Sequence, residues 1–348
     1  MKAFQTGAPG APLIDKELPT PEPTGTEVLL KTVAAGVCHS DVHIHEAKFD
    51  LGEGKVMPAG FPGMTLGHEI TGEVVALGPD AEGVAVGDRV VAFPWIGCGS
   101  CRQCERGEEN LCGRAQNLGI ARSGGFGDHV LVPHPRYLFD KGETADALSC
   151  TYACSGLTAY GALRKVGELP SGARIVIVGA GGVGMNAVQI ARSAFDIDPI
   201  VCDIDEAKLE AAKAAGVEHV FNAADPESAK AIKTLTGGGA YAALDFVGSE
   251  NSTQFALKTL EKGGKLVVVG LFGGSLKFPL PMIPILARTI QGSYVGSLAE
   301  MGELMELVRA GKIPAIPIEE RPASAENATR TLQDLRDGKV AGRAVLMY

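Results

Sequence analysis

The sequence predicts an α/β protein with two domains, one a β-barrel-like domain and the other a doubly wound parallel sheet. Three observations predict this fold class. The chain has 348 residues, which exceeds the ~250 to 300 residues over which one hydrophobic core usually extends. Short apolar runs separated by glycine and proline fill the first 150 residues or so, and this texture is typical of antiparallel sheet. From about residue 155, strand and helix patterns alternate, which is typical of a parallel sheet covered by helices.

The composition is that of an ordinary globular protein and excludes several other classes. Hydrophobic residues make up 45% and charged residues 21% of the chain, which excludes disordered and fibrous proteins. The net charge of -9 is spread without a block of lysine or arginine, so neither nucleic acid nor an anionic membrane is expected as the partner. The chain has no signal-peptide pattern and no apolar run of roughly 18 residues. We therefore expect a cytoplasmic enzyme that acts on a small molecule.

The elements of the first domain are short strands. Apolar runs at 27–33, 72–76 and 89–93 are each bounded by turn residues, and helix patterns are scarce. A helix around 298–310 and a strand at 343–347 lie beyond the second domain, separated by a proline-rich loop, and are expected to return to the first domain. The predicted domains are therefore residues 1–154 with 297–348, and residues 155–296.

The second domain alternates strands with helices in a βαβ series. This pattern predicts a parallel sheet with helices on both faces. The predicted strands are 174–178, 199–203, 219–221, 242–246 and 265–269, and the predicted helices are 182–194, 206–215, 226–235 and 252–260.

A glycine-rich turn follows the first of these strands and opens the first helix. Gly179, Gly181 and Gly184 match the G-x-G-x-x-G pattern, with Gly182 and Val183 between the last two. Gly179 allows the tight turn, Gly181 lets the backbone approach a pyrophosphate, and Gly184 permits close packing of helix on strand. A plain glycine-rich turn is the alternative, and it is disfavoured by the acid described next.

Asp203 ends the second strand, at the position where an acid binds the ribose hydroxyls of a dinucleotide. Its carboxylate would repel a 2'-phosphate and no arginine follows it directly, so NAD is favoured over NADP. Lys208 is a further candidate for the same ribose, and a solvated helix lysine is an equal alternative.

The cysteines point to metal rather than to disulfides, because the chain has eight of them and no secretory signal. Cys98, Cys101, Cys104 and Cys112 share one short loop, and four thiolates so placed predict a closed, structural zinc site. An iron–sulfur cluster or disulfides are the less favoured alternatives. Zinc here would hold a loop that has too few apolar residues to fold by burial.

A second metal site is predicted from Cys38, His68 and Cys154. Two cysteines and one histidine leave the fourth position of a zinc ion open for substrate, as in catalytic sites. Cys150 competes with Cys154 for the assignment. Asp41 and Glu69 lie next to these ligands in sequence and are expected to orient a ligand or tune the metal, although Glu69 as an alternating fourth ligand stays open.

Taken together, these motifs resemble the zinc-dependent medium-chain alcohol dehydrogenase family over essentially the whole chain. The resemblance rests on Gly67-His68-Glu69, Gly36-Val37-Cys38-His39-Ser40-Asp41, the four-cysteine loop, Cys154-Ser155-Gly156-Leu157-Thr158 and the glycine-rich turn. It implies a GroES-like catalytic domain and a Rossmann cofactor domain. It also implies a homotetramer or homodimer. Two zinc ions per chain are expected because the two predicted ligand sets are separate.

The resemblance further implies reversible oxidation of a primary or secondary alcohol, with hydride transfer to NAD+ and the alkoxide held on zinc. Ser40 and His43 would relay the proton. His39 and Arg343 would lie near the pyrophosphate, and Thr158 with Val269 and Leu271 near the nicotinamide. Trp95 would form a wall of the substrate pocket, with a plain core tryptophan as the alternative. The glycine- and proline-rich segment 46–64 departs from the family pattern, and so does Ser40, where threonine is also common.

Overall fold

In the computed structural model, which describes residues 1–348, strands dominate the first part of the chain. These strands are β1 (Lys2–Gln5), β2 (Ile14–Glu17), β3 (Val28–Val37), β4 (Lys48–Asp50), β5 (Val56–Pro58), β6 (Glu69–Leu77), β7 (Arg89–Ala92), β8 (His129–Val132) and β9 (Leu138–Asp140). The helices here are short, as predicted: α1 (His39–His45), α2 (Arg102–Glu105) and α3 (Asp146–Ser149). Single 3₁₀ turns lie at Glu109–Leu111, Pro135–Tyr137 and Cys150–Ala153.

The middle of the chain alternates helices and strands. Its helices are α4 (Ser155–Arg164), α5 (Gly182–Ala194), α6 (Glu206–Ala214), α7 (Ser228–Leu235), α8 (Glu250–Thr259) and α9 (Met282–Ile285). Its strands are β10 (Ile175–Val178), β11 (Ile200–Asp203), β12 (Val220–Asn222), β13 (Ala240–Asp245), β14 (Leu260–Val268) and β15 (Thr289–Gly292). The predicted βαβ series is confirmed, and β15 is an addition that the sequence did not predict, because this short strand has no apolar run and every residue in it is exposed.

The closing segment contains α10 (Leu298–Arg309), β16 (Ile318–Pro322), α11 (Ala325–Arg336) and β17 (Arg343–Met347). The prediction of a plain loop between α10 and β17 was wrong. Ser324 caps the start of helix α11, because its hydroxyl accepts the Asn327 N–H at 3.0 Å. The helix buries Ala328, Leu332 and Leu335 on one side. The polar residues between these positions hid the apolar stripe.

The strands form two large sheets. The sheet of the first part has the order β16-β17-β3-β6-β7-β9, with β8 also paired to β3, and only β16 and β17 run parallel in it. The middle part has the order β12-β11-β10-β13-β14-β15, and every neighbouring pair is parallel. The order turns back between β10 and β13, which is the arrangement of a doubly wound, dinucleotide-binding sheet.

The chain divides into two units, one with residues 1–48, 58–157 and 297–348 and the other with residues 49–57 and 158–296. The predicted boundaries placed residues 49–57 in the first domain, and this differs from the structure. The backbone of Gly52 lies so close to Gly274 and Ser275 that a Cβ on it would be 2.7 and 2.6 Å from their atoms. A backbone contact of this kind leaves no signal in an apolar pattern.

Two glycines at the turn between β10 and α5 differ in whether the fold has room for a larger side chain. A Cβ at Gly184 would lie 1.8 Å from the Gly179 carbonyl oxygen, whereas a Cβ at Gly181 would meet no atom within 4 Å. Gly181 also has a φ of -75°, which any residue can adopt. Packing of helix on strand therefore requires glycine at 184 but not at 181.

We predict that Gly184→Ala destabilises the cofactor-free protein by about 1–3 kcal/mol, because the added methyl group cannot fit without moving the backbone. Gly181→Ala is the matched control and should stay within about 0.5 kcal/mol of wild type. Denaturant unfolding of both variants measures this difference. Equal stability of the two variants would contradict the packing role of Gly184.

Candidate active site

The site begins where β3 leads into helix α1. Cys38 precedes the helix, and Asp41, its third residue, accepts the Cys38 backbone N–H on Oδ2 at 2.9 Å. A side chain that reaches back in this way satisfies a donor that the first helical turn leaves free. The bond fixes the backbone of Cys38 at the end of the strand.

Asp41 also holds His68, which lies just before β6. Asp41 Oδ1 accepts the Gly67 N–H at 3.2 Å and lies 3.2 Å from His68 Nδ1, with both side chains fully buried. Gly67 has a φ of +88°, and a Cβ on it would lie 2.4 Å from the ring of Phe126, so only glycine fits this turn. The carboxylate orients the imidazole and leaves Nε2 as its free side.

The donor set fits a zinc ion. The ligand atoms of Cys38, His68, Glu69 and Cys154 lie within 4.8 Å of one another, and all four residues are buried. The Sγ atoms of Cys38 and Cys154 are 4.0 Å apart, near the ~3.8 Å that two 2.3 Å Zn–S bonds give in tetrahedral geometry. His68 Nε2 is buried without a hydrogen-bond partner, which is costly for a polar atom unless a ligand completes it.

The two thiols are hydrogen-bonded to each other, and this bond shifts their pKa values in opposite directions. The hydrogen bond from Cys154 holds the pKa of the Cys38 thiol well below its usual value, and the same bond raises the pKa of Cys154. Cys38 is therefore the thiol that ionises more readily, and the thiolate is the form that binds metal. Cys150, the competing cysteine, points elsewhere: its thiol donates to the Ala147 carbonyl at 3.3 Å, and burial raises its pKa.

Glu69 joins this cluster to two other segments. Its Oε2 accepts from Arg343 Nη2 at 2.5 Å, and its Oε1 accepts the Ser155 N–H at 3.3 Å, directly after Cys154. Burial raises the pKa of Glu69. A Cβ at Gly36 would lie 2.0 Å from Oε2, so this strand residue must be glycine. The ion pair with Arg343 joins residues that are 274 positions apart, and no sequence pattern indicated it.

The four-cysteine loop forms a second donor set. The ligand atoms of Cys98, Cys101, Cys104 and Cys112 lie within 4.8 Å of one another. The Cys101 Sγ is 3.5 Å from Cys104 and 3.7 Å from Cys112, close to the spacing of a four-thiolate zinc site. Backbone N–H groups donate to these sulfurs, and the one from Ser100 lowers the pKa of Cys98 to about 5.

The loop is also held from outside. Glu109 is buried and accepts the Gly97 N–H at 3.0 Å and the Tyr137 hydroxyl at 2.7 Å. A Cβ at Gly97 would lie 2.5 Å from the Cys104 sulfur, so the loop needs glycine there. These contacts tie the loop to the segments before and after it.

The dinucleotide turn is held by Asp203. The Asp203 Oδ2 accepts the Ala180 N–H at 2.7 Å, and Oδ1 accepts the Asp205 N–H at 3.0 Å. Gly179 has a φ of +96°, as the tight turn requires. The sequence predicted a ribose ligand at Asp203, and the structure adds a second task for it, which is to fix the glycine-rich turn.

The remaining predicted site residues differ in how much of their surface is exposed to solvent. His39 and Leu271 are exposed; Ser40, His43, Thr158, Gly181, Gly182, Val183 and Lys208 are half-buried; Trp95, Gly184, Val269 and Arg343 are buried. Ser40 and His43 are three residues apart on α1 and so share one helix face. The Trp95 ring lies 5.4 Å from the His68 ring.

No helix of the chain has both the length and the apolar character that a membrane crossing needs.

Comparison with known proteins agrees with this geometry. Residues 24–142 match the alcohol dehydrogenase GroES-like domain, and residues 182–310 match the zinc-binding dehydrogenase family. A protein of Sulfurisphaera tokodaii named NAD-dependent alcohol dehydrogenase is 38% identical over 100% of both chains. The alcohol dehydrogenase of Aeropyrum pernix has a similar structure, with a TM-score of 0.89, 31% identity and 100% of both chains covered.

The D-arabinose dehydrogenase of Sulfolobus solfataricus is also similar, with a TM-score of 0.82, 26% identity and 100% of both chains covered. The predicted combination of a GroES-like domain and a Rossmann sheet is thereby confirmed. The chain belongs to the zinc-dependent alcohol dehydrogenase family of the medium-chain dehydrogenases and reductases.

Proposed function

We propose that this protein catalyses the reversible oxidation of a primary or secondary alcohol to an aldehyde or ketone, with hydride transfer to NAD+. The observation that carries the proposal is the buried cluster of Cys38, His68 and Cys154, in which His68 Nε2 is left without a partner. Three protein ligands of this kind are typical of a catalytic zinc site with one open position. The name of the Sulfurisphaera tokodaii relative supports both the alcohol and NAD.

The chain is proposed to hold two zinc ions, one structural ion in the four-cysteine loop and one catalytic ion at Cys38, His68 and Cys154. Zinc at the catalytic site supplies Lewis acidity, which favours loss of the hydroxyl proton of an alcohol. The residues of the chain do the rest: Asp41 fixes the imidazole, and the Glu69–Arg343 pair holds the backbone after Cys154. With Glu69 engaged by Arg343, we assign it a supporting role beside the metal rather than that of a fourth ligand.

Ser40 and His43 are proposed to carry the substrate proton away. Ser40 follows Cys38 by two residues, and His43 lies one helical turn further along α1. Partial burial lowers the pKa of the His43 imidazole, so at neutral pH it is neutral and able to accept a proton. A relay of this kind requires an acceptor that exchanges with solvent, and His43 is half-buried rather than sealed.

The dinucleotide is proposed to be NAD, bound at the turn of Gly179, Gly181, Gly182, Val183 and Gly184. Gly181 supports this proposal, because the space beside it is open and its backbone can be approached. Asp203 would bind the ribose, with Lys208 beside it. His39 and Arg343 are proposed for the pyrophosphate, and Thr158, Val269 and Leu271 for the nicotinamide.

A homotetramer is proposed as the assembly, with a homodimer as the alternative. The support is strand β15, which ends its sheet and whose residues are all exposed. Ile290 on this strand and Leu280, Ile285 and Tyr294 beside it are exposed apolar residues. A bare strand edge with an apolar surround is suited to pairing with a second copy. The cytoplasmic location stays a prediction.

A polyol or amino-alcohol dehydrogenase is the second candidate, favoured by the similarity to the D-arabinose dehydrogenase. Initial rates of NADH formation with primary, secondary, aromatic and cyclic alcohols, set against sorbitol and threonine, separate the two candidates. We expect the highest kcat/KM among the simple alcohols. A preference for sorbitol or threonine would favour the second candidate, and no NADH with any substrate would contradict both.

We predict that wild type prefers NAD+ over NADP+. Asp203→Gly should lower the ratio of kcat/KM for NAD+ to kcat/KM for NADP+ by more than tenfold, which corresponds to a loss of about 1.4 kcal/mol or more of discrimination. The carboxylate hydrogen-bonds the ribose and repels a 2'-phosphate. Asp203 also accepts the Ala180 N–H, so Asp203→Asn, which keeps an acceptor but loses the charge, is the control for a displaced turn. Equal use of both cofactors by wild type would refute the assignment.

We predict that Ser40→Ala lowers alcohol oxidation by ~10²-fold or more, the usual size of a general acid–base contribution. His43→Gln should lose less, because solvent can replace the last acceptor. Its loss should be greatest at mildly acidic pH. At that pH the lowered pKa of His43 keeps the wild-type imidazole neutral, while other bases are scarce. Once the pH falls below this pKa, the difference in rate between wild type and His43→Gln should disappear.

Steady-state pH profiles of both variants, with zinc content measured alongside, provide the test. Added amine buffers should partly restore His43→Gln. If both variants keep wild-type kcat/KM at every pH with zinc intact, Ser40 is only a turn hydroxyl, His43 is only a surface histidine, and the relay is wrong.

A further inference from the structure

Trp95 is the single tryptophan of the chain and lies just after β7. It is buried, with 2% of its surface exposed. Its ring centroid is 5.4 Å from that of His68, and the two planes are inclined by 57°. The indole therefore packs against the ring of a proposed metal ligand.

The indole also contacts the segment that precedes Cys154. Its Nε1–H donates to the Ala153 carbonyl oxygen at 3.0 Å, and this hydrogen bond is buried. Ala153 is the last residue of the 3₁₀ turn Cys150–Ala153, and the next residue is Cys154. One side chain thus contacts His68 by its ring and the segment of Cys154 by its N–H.

The backbone at Cys154 needs such support. Cys154 lies between the 3₁₀ turn and α4, with φ -128° and ψ -72°, outside both helices. Its own N–H reaches the Thr151 carbonyl only at 3.4 Å, which is a long bond. The residues on either side are held by shorter hydrogen bonds: the Ala153 carbonyl accepts from Trp95 at 3.0 Å, and the Ser155 hydroxyl donates to the Thr151 carbonyl at 2.9 Å.

We propose that Trp95 is a positioning residue of the metal site, which fixes Cys154 through the Ala153 carbonyl and limits the tilt of the His68 ring. The inference rests on the proposed function, because it assumes that Cys38, His68 and Cys154 hold a metal. It goes beyond a place in the wall of the substrate pocket, because this role operates when no substrate is bound. Groups that orient metal ligands commonly contribute 10- to 100-fold to metal affinity.

The test compares three variants of the full chain. Trp95→Phe keeps an aromatic ring beside His68 and removes only the N–H donor, whereas Trp95→Leu removes the ring as well. Phe93→Leu is the matched control, because Phe93 is a fully buried aromatic residue two positions away that stacks on Tyr137. Zn2+ affinity is measured by competition with a chelator, and Co2+ is used as the spectroscopic probe of the ligand geometry.

We expect Trp95→Phe to weaken one Zn2+ site about tenfold, and Trp95→Leu to weaken it further, while the four-cysteine ion is retained. The visible absorption bands of Co2+ should change in both variants. Phe93→Leu should lose thermal stability but keep the wild-type affinity and Co2+ bands of the site at Cys38, His68 and Cys154, because its packing defect lies against Tyr137 and not against these ligands. These measurements need no substrate, so a change of pocket shape cannot produce them.

Wild-type affinity and unchanged Co2+ bands in Trp95→Phe would overturn the inference and leave the proposed function standing. An equal loss of affinity in Phe93→Leu would also overturn it, since the effect would then be one of packing. If the wild-type chain binds metal only at the four-cysteine loop, the proposed function fails, and the inference fails with it.

Discussion

The carboxylate of Asp41 is the contact on which the proposed metal centre depends. It accepts the backbone N–H groups of Cys38 and Gly67 and faces His68 Nδ1, so one side chain joins the end of β3 to the start of β6. A fully buried carboxylate is costly unless its oxygens are satisfied, and here three N–H groups surround it. Any movement of one ligand segment relative to the other would leave a buried charge without its partners. The separation of Cys38 and His68 is therefore set by the protein.

The charges of this core favour a divalent cation at the proposed site. Cys38, Cys154, Asp41 and Glu69 can each carry a negative charge, and Arg343 is the fixed cation among them. The hydrogen bond between the two thiols lowers the pKa of Cys38 and raises the pKa of Cys154. A divalent cation held by Cys38, His68 and Cys154 would favour the thiolate form of both cysteines and would give His68 Nε2 a partner. Metal binding and folding of this region would thus be coupled, because both depend on how the buried charges are balanced.

The sequence predicted what depends on local chemistry. The four-cysteine loop and the turn after β10 follow from residue types at short spacing, and the structure brings each set together. Cys38 and Cys154 are 116 positions apart, and their grouping with His68 was predicted from the residue types that bind zinc. Other contacts between distant segments left no such signal. The Arg343–Glu69 pair, the Trp95 N–H on Ala153 and the packing of residues 49–57 in the second unit all join positions far apart in the chain. Helix α11 and strand β15 were missed for another reason, because their polar or exposed residues dilute the apolar pattern.

The most direct test of this account is the zinc content of wild type and Asp41→Asn after dialysis against a mild chelator, with Cys101→Ala as the reference for the other site. The account predicts about two ions per chain in wild type, because the structure contains two separate groups of side chains that could each hold a metal ion. Asp41→Asn should keep the four-cysteine ion and lose the other, since an amide cannot accept from all three N–H groups that Asp41 faces. Cys101→Ala should show the reverse. Two ions retained in Asp41→Asn, with wild-type affinity at both sites, would contradict the account.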